Sequence, residues 1–286
     1  MQTIGVRARR DVRGKLVGPA IRYVACTLIA LIVLVPIVTA VVGGFRTNPQ
    51  LVNRPFAWPD PFVWTNYTEI LRSDNFWRQV FNSTAIMLLT TVLVLSVSSM
   101  AAFVFAWMPF RGRGFAVNFF MLGLLFPVTV AILPLYILLR QLDLLNTVWG
   151  VVLPQVAFAI PISVLILRNF FLSIPRELED AAYVDGATPA GFFLRILLPL
   201  MRPGLAAVAV LTMVTSWNNF FLPLLVLNRE ELWTLPLGVM QFQGQYSTDW
   251  ARVLAFVTLA LAPAVAFYLV AERQIIAGLT GGAIKG

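Results

Sequence analysis

Few side chains in this sequence could carry out covalent chemistry. It has no histidine, one cysteine and 13 acidic residues among 286. A Ser-His-Asp or Cys-His relay, an internal disulfide and a histidine or multi-cysteine metal site are therefore excluded. The polar groups that remain inside apolar stretches are amides and hydroxyls, together with the indole of Trp217 beside one pair of amides. Four of them are candidates for lining a substrate path: Gln155, Trp217, Asn218 and Asn219.

The two adjacent asparagines are the most unusual of these groups. A buried amide without a partner in hydrocarbon is costly, so Asn218 and Asn219 must face other helices or a wet cavity. A substrate-lining role and a structural interhelical role both fit. Pro223 follows and removes a backbone donor, so we expect a kink just beyond the pair. Hydroxyls in an earlier apolar stretch are expected to allow close helix packing instead: Ser96, Ser98 and Ser99.

The composition defines the elements that must position these groups. The chain is 59% hydrophobic and 12% charged, against roughly 45–50% and about 25% in soluble domains. A helix of about 20 apolar residues crosses a hydrocarbon core of about 30 Å. The first apolar stretch is too long for a cleaved signal, so we interpret it as an anchor helix. The sequence predicts an all-α fold with six spans, near residues 22–44, 79–107, 115–140, 150–172, 203–227 and 250–272.

Lys and Arg in the connections predict the orientation of these spans. With the N-terminus inside, 14 of the 21 basic residues and six of the 13 acids lie on the inner side. The inner side then carries the whole net charge of +8, and the outer side is neutral. We therefore predict a multi-pass protein of the cell membrane with a cytoplasmic tail over 1–21, an inner loop over 173–202 and a cytoplasmic tail over 273–286. Nucleic-acid binding is not needed to explain the charge.

The spans lack the groups that would supply energy for transport. No acid lies in their interior, which disfavours ion-coupled transport because coupling needs a group that changes charge in the membrane. The sequence also contains no G-x-x-x-x-G-K-[ST] phosphate loop. If ATP drives this protein, a partner must bind the nucleotide.

The inner loop contains an informative charged segment, ELEDAAYVDGATPAGFFLRILLP, at residues 177–199. Acids at its start favour a helix N-terminus, and Asp185-Gly186 can end that helix in a left-handed turn. Thr188-Pro189 would then cap and start a second helix with an apolar face. The first helix is expected to expose Ala181 and Ala182, which are small enough for close approach of another surface. We interpret this segment as a docking element.

This segment resembles the EAA loop of ABC-importer permeases. The match runs through Ala181, Ala182, Asp185, Gly186, Ala187, Ile196, Leu198 and Pro199. Asp180 stands where the family pattern has Glu, so which of Glu177, Glu179 and Asp180 makes the main contact is left open. The resemblance implies that the loop fits a cleft on an ATP-binding subunit and couples ATP hydrolysis to transport. The implied coupling residues are Glu177, Glu179, Asp180, Ala181, Ala182, Asp185, Gly186 and Ala187.

Further segments are similar to the MalG-like permeases of carbohydrate uptake. They are Asn66-Tyr67, Asn82-Ser83, Phe110-Arg111-Gly112, Trp217-Asn218-Asn219-Phe220, Thr234-Leu235-Pro236 and the C-terminal stretches 278–280 and 283–286. The resemblance implies the MetI-like transmembrane domain of type I ABC importers over residues 22–286. Its tail would reach toward the ATP-binding subunits. A loop facing the binding protein would carry a short scoop or, equally, a polar turn at Gln241, Phe242, Gln243, Gly244, Gln245 and Tyr246.

The resemblance also implies the partners. They are a second homologous permease, two ATP-binding subunits that hold ATP and Mg²⁺, and an extracytoplasmic solute-binding protein that delivers a sugar or oligosaccharide. This chain would bind no cofactor and catalyse no reaction. A polyol or a glycerol phosphate remains an alternative solute, and an ATP-independent channel or facilitator is an alternative of a different class. A membrane enzyme is disfavoured because the spans contain no carboxylate pair or metal-ligand cluster.

Overall fold

The computed structural model describes the backbone of residues 4–55, 57–244 and 247–281, and the side chains of 22–55, 57–244, 247–266 and 269. Within these residues the chain is helical, and the only strand-like pairing is one bridge between Gln243 and Thr248. The helices, numbered in chain order, are α1 (Ile4–Gly43), α2 (Asn48–Asn53), α3 (Thr65–Arg72), α4 (Asp74–Trp107), α5 (Arg113–Leu122), α6 (Val128–Gln141), α7 (Val148–Leu172), α8 (Glu177–Val184), α9 (Pro189–Leu200, with a π-helical turn at Phe192–Leu197), α10 (Arg202–Trp217), α11 (Phe221–Val226) and α12 (Trp250–Gly281).

The long helices confirm the all-α architecture. Among the described residues, α1 from Arg22, α4 and α7 are each long and apolar enough to cross a membrane. Two further candidates are bent pairs, α5 with α6 at 96° and α9 with α10 at 75°. The apolar part of α12, Trp250–Ala266, is shorter. The predicted spans 22–44, 79–107, 150–172 and 250–272 each coincide with one helix, apart from residue 44, which follows the end of α1.

The predicted span over 115–140 is divided into two helices at Pro127. The chain passes from α5 through a 3₁₀ turn at Gly123–Leu125 and then changes direction before α6. Phe126 is extended, with φ −82° and ψ 113°, because the ring of the following proline, Pro127, disfavours the helical region for the residue before it.

The fifth predicted span, 203–227, is also interrupted, and earlier than expected. Helix α10 ends at Trp217 and α11 begins at Phe221, so the break includes Asn218 and Asn219 themselves. A proline lacks a donor for the carbonyl four residues before it, and its ring collides with that carbonyl. For Pro223 that residue is Asn219, which explains why the break falls at the asparagines and not beyond them.

The chain forms two compact units, and the first comprises Met1–Ile70 and Phe242–Leu259. In this unit, side-chain hydrogen bonds join α3 to the chain at the end of α1. Tyr67 donates its hydroxyl to the carbonyl of Val41 at 2.7 Å, and the Asn66 amide donates to the carbonyls of Gly44 and Arg46, both at 2.9 Å. A Cβ on Gly44 would lie 2.8 Å from the Cα of Ala255, so only glycine fits this approach.

The second unit comprises Leu71–Gln241 and Ala260–Gly286. Helix α4 packs along α7, and both pack against α10. The side chains between these helices are fully buried, among them Val94, Val151, Val164, Leu167 and Val208. This three-helix core holds both the cavity and the loop described below.

Candidate functional site

A cavity of about 710 Å³ lies beside the three-helix core, bordered by α4, α6, α7, α10 and α11. It brings together three of the four predicted substrate-path residues, Gln155, Asn218 and Asn219. The fourth, Trp217, is only 5% exposed and is not among the described residues that line the cavity. The volume lies within the roughly 300–1,000 Å³ typical of small-molecule sites.

The helix break forms one wall of this cavity. The Asn218 side-chain amide donates to the carbonyl of Val214 at 2.9 Å, and the backbone amide of Leu222 donates to Asn219 Oδ1 at 3.2 Å. The Val214 carbonyl also accepts from the backbone amide of Asn218 at 3.2 Å, so of the two side chains only that of Asn219 pairs a backbone group that the break leaves free. At membrane depth, irregular backbone is tolerated where it is buried in protein or lines a cavity.

Gln155 is the polar centre of the core between α4, α7 and α10. Its Oε1 accepts hydrogen bonds from Ser216 Oγ at 2.6 Å and from Thr90 Oγ1 at 3.4 Å. Its Nε2 and the nearby Ser163 Oγ are buried and have no partner among the described residues. An unsatisfied buried donor costs about 1–3 kcal/mol. The hydroxyls of Thr90 and Ser216 both contact the same terminal atom of the Gln155 side chain. Exchanging the oxygen and nitrogen of that amide would therefore still leave one of its two polar atoms without a partner.

The remaining polar lining consists of hydroxyls that sequence reasoning did not single out. They are Thr90, Thr129, Ser163, Thr212, Thr215 and Ser216. A signal for four lining residues was present, since Thr212, Thr215, Ser216 and Asn219 follow the spacing of one helical face. Of the serines assigned to helix packing, Ser98 and Ser99 are buried, whereas Ser96 is exposed. No Asp, Glu, Lys or Arg lies among the described lining residues.

The predicted helix-turn-helix of the 173–202 loop is present as α8 and α9. Gly186 has a φ of +81°, and the amides of Gly186 and Ala187 donate to the carbonyls of Tyr183 (3.1 Å) and Ala182 (2.9 Å). This pair of bonds is the Schellman pattern that ends helices at a left-handed glycine. Thr188 then accepts from the amide of Gly191 at 3.1 Å and caps α9.

The acids of α8 are not equivalent. Glu179 pairs with Arg176 at 3.2 Å and accepts from the hydroxyl of Tyr183 at 3.1 Å. Desolvation raises the pKa of Tyr183, and the hydrogen bond to Glu179 and its charge raise it further, so the hydroxyl stays protonated at neutral pH. Glu177 and Asp180 are exposed and make no side-chain hydrogen bond or ion pair with any described residue.

The expectation that both alanines of the motif are exposed was half wrong. Ala181 is exposed, but Ala182 is 5% exposed and belongs to the hydrophobic core. Successive residues on a helix point about 100° apart, so one of the two faces the core. The accessible surface of α8 includes Glu177, Asp180, Ala181 and, beside the turn, Asp185 and Gly186.

The apolar face predicted for α9 packs against the end of α4. The ring centroids of Phe192 and Trp107 are 5.3 Å apart, and those of Phe193 and Phe103 are 4.9 Å apart. Phe192 and Leu197 are fully buried. Aromatic contacts therefore attach the loop to the core.

The predicted scoop at 241–246 is a tight turn where it is described. Gln243 pairs with Thr248, and the amide of Gly244 donates to the carbonyl of Ser247 at 2.9 Å. Gln241 is exposed, and Phe242 packs on Phe256 with ring centroids 5.5 Å apart. Gln245, Tyr246 and the predicted tail motif at 283–286 lie outside the described residues.

Comparison with known proteins identifies the family. Residues 97–275 match the family described as binding-protein-dependent transport system inner membrane component. The arabinooligosaccharides transport system permease protein AraQ of Halalkalibacterium halodurans is 36% identical over 262 residues, covering 90% of this chain and 93% of that protein. The diacetylchitobiose uptake system permease protein NgcG of Streptomyces coelicolor is 31% identical over 93% of this chain and 89% of that one.

A solved structure has a similar fold. A chain of a bacterial ABC transporter involved in the import of the acidic polysaccharide alginate superposes with a TM-score of 0.78 at 20% identity, covering 91% of this chain and 97% of that one. The family match spans more than half of the chain, including α7 to α11, where the loop and most of the cavity wall lie. The chain therefore belongs to the family of binding-protein-dependent transport system inner membrane components and is a multi-pass permease subunit of an ABC importer.

Proposed function

We propose that this permease forms, with a second homologous permease, the membrane pathway for a neutral sugar or oligosaccharide. The observation that carries the proposal is the chemistry of the cavity. Its polar lining consists of hydroxyls and amides, and no charged side chain lies among the described lining residues. Such groups can exchange hydrogen bonds with sugar hydroxyls without a counter-charge.

The relatives support a carbohydrate, since AraQ and NgcG are named for arabinooligosaccharide transport and diacetylchitobiose uptake. The cavity favours a neutral solute over a glycerol phosphate. A phosphate dianion in a low-dielectric cavity would need a cationic partner, and this chain provides none among the described lining residues.

The energy source in this proposal is a pair of ATP-binding subunits docked on the 173–202 loop. They hold ATP and Mg²⁺ and hydrolyse the nucleotide, while this chain catalyses no reaction and binds no cofactor. Both termini and the loop lie on the cytoplasmic side, and an extracytoplasmic binding protein delivers the solute on the other side. Closure of the ATP-binding pair shifts the cavity from one side to the other, because the loop contacts that pair differently in the two states.

Uptake by the complete importer, in cells or vesicles, tests the role of the cavity. The probe is a panel of radiolabelled neutral oligosaccharides and one labelled glycerol phosphate. We expect uptake of a neutral sugar, and we expect Asn218→Ala to lower its apparent affinity about tenfold, the effect of losing roughly one hydrogen bond. Asn169→Ala removes an exposed asparagine that does not line the cavity and serves as the matched control. Unchanged affinity in Asn218→Ala would remove Asn218 from the substrate path, and uptake of glycerol phosphate alone would contradict the neutral solute.

A further inference from the structure

The last turn of α4 is capped by arginines from three other parts of the chain. A helix leaves its last four carbonyls without an intrahelical partner; in α4 these belong to Val104, Phe105, Ala106 and Trp107. The carbonyl of Val104 accepts from the amide of the next residue after the helix, Met108, at 3.2 Å. The other three accept only from arginine side chains among the described residues.

The carbonyls of Phe105 and Ala106 each accept from two arginines. Arg113, at the start of α5, donates to Phe105 at 2.7 Å and to Ala106 at 2.9 Å. Arg168, near the end of α7, donates to Phe105 at 3.4 Å. Cations at a helix C-terminus also oppose its negative dipole end. Three segments therefore meet at the end of α4, and one of them is the loop over residues 173–202, called the docking loop below.

Arg176 is the contribution of that loop. Its Nη2 donates to Ala106 at 2.7 Å and its Nη1 to Trp107 at 3.2 Å. Its guanidinium carbon lies 4.3 Å from the centre of the Trp107 ring, and its Nη1 also pairs with Glu179 at 3.2 Å. One side chain thus connects the first turns of α8 to the end of α4. Lysine could not reproduce this arrangement, because an ammonium lacks the planar fork.

Helix α4 is suited to carry a displacement from this junction to the cavity. From Asp74 to Trp107 it contains no glycine and no proline, whereas α6 and α7 both contain interior prolines. Kinks in helices arise mainly at such residues. Thr90, which lines the cavity and donates to Gln155, lies about 25 Å along the helix from Trp107, at about 1.5 Å per residue.

We propose that Arg176 is a positioning residue that makes α8 move with α4, to which α9 is already attached by aromatic contacts. When the loop is displaced, α4 shifts with it and moves Thr90 against Gln155 on α7 and Ser216 on α10, which changes the cavity wall. The inference rests on the proposed docking of ATP-binding subunits on the loop. It adds the route by which that docking reaches the substrate cavity.

The test measures a distance within the assembled importer. In a Cys26→Ser background, spin labels are placed at Val184→Cys on α8 and Leu88→Cys on α4, both exposed positions. Pulsed EPR then compares the nucleotide-free complex with the complex trapped by Mg-ATP and vanadate. We expect the same mean distance in both states of the otherwise native importer. In Arg176→Gln we expect a second distance population after trapping, and Arg176→Lys should reduce that population without abolishing it.

Arg195→Gln is the matched control, since Arg195 is an exposed arginine of the same loop with no contact to the end of α4. It should behave as the native importer does. A different distance in the two states of the native importer, or an Arg176→Gln variant indistinguishable from it, would overturn the inference. Failure of ATP-binding subunits to co-purify with the native permease would instead contradict the proposed function. If Arg176→Gln does not assemble, Arg176→Lys takes its place, and a distance in that variant unchanged from the native importer in both states would overturn the inference.

Discussion

At the scale of single residues, the loop acids provide different contacts. The carboxylate of Glu179 is used within the chain, by Arg176 and Tyr183, and its side chain is only 18% exposed. Asp180 follows it by one residue and is exposed. Sequence alone left Glu177, Glu179 and Asp180 equivalent, because all three carry the same charge within one helical turn. Only the packing of α8 shows which carboxylate is already engaged.

We therefore predict that Asp180, and not Glu179, contributes charge to the contact with the ATP-binding subunits. Asp180→Asn should weaken their association with the permease about tenfold, the effect of losing roughly one charge-assisted hydrogen bond. Asp180→Glu, which restores the residue of the EAA pattern, should retain it. Co-purification at graded salt concentrations measures the effect. An equal loss in Glu179→Gln, with Asp180→Asn unaffected, would reverse the assignment.

Gly186 is needed because of its backbone conformation. The space around it would admit a larger side chain. A Cβ there would meet no atom within 4 Å, but the φ of +81° is unfavourable for residues with a Cβ. Gly186→Val should strain the turn by at least about 1–2 kcal/mol and reduce uptake per ATP hydrolysed, with membrane insertion intact.

Gly186→Asn should retain most of the coupling, because asparagine tolerates the left-handed region. Gly114→Ala is the control, since Gly114 lies in α5 with equal space and no positive φ. Both ATP hydrolysis and uptake are measured in vesicles. Normal coupling in Gly186→Val would exclude the turn from the docking element.

At the scale of elements, the sequence predicted what depends on local chemistry. The acids, the glycine and the Thr-Pro pair of the loop each favour one conformation, and the structure has that helix-turn-helix. The hydrophobic stretches predicted where α1, α4, α7 and α12 lie. The break at Asn218–Phe220 was expected a few residues too late, because a proline acts on the carbonyl four residues before it and hydropathy does not resolve that effect. The Gln155 contacts were beyond reach, since they join residues 61 to 65 positions apart.

We predict that the helix break between α10 and α11 depends on Pro223. Pro223→Ala restores a backbone donor and removes the clash with Asn219, so α10 should extend through the break into α11. We expect this to withdraw the asparagines from their present positions and to lower sugar uptake at least tenfold, with thermal stability unchanged or higher. Pro203→Ala is the control, because proline in the first turn of α10 displaces no hydrogen bond. Normal uptake in Pro223→Ala would show that the break has no part in the pathway.

At the scale of the whole molecule, charge and function are related through orientation. A net charge of +8 on a chain that is 12% charged suggests a polyanionic partner at first sight. The predicted topology accounts for it differently, because basic residues are retained on the cytoplasmic side during insertion. In this predicted topology the docking loop would lie where ATP is available, and the turn at Gly244 would lie on the opposite side, toward a binding protein. The orientation is thus the premise on which the proposed partners depend.

Cysteine labelling tests this orientation directly. In a Cys26→Ser background, Val184→Cys in the docking loop and Ser247→Cys beside the tight turn are introduced one at a time, both at exposed positions. A membrane-impermeant maleimide should label Ser247→Cys in right-side-out vesicles and Val184→Cys only in inverted vesicles. The predicted span 203–227, which the structure divides into α10 and α11, lies between these positions. The two cysteines must therefore react from opposite sides if that pair crosses the membrane. Labelling of both from one side would mean that α10 and α11 re-enter on the side from which they start, and the cavity beside them would then open to one side only. Reversed labelling would retain the span but exclude docking of a cytoplasmic ATP-binding subunit on the loop.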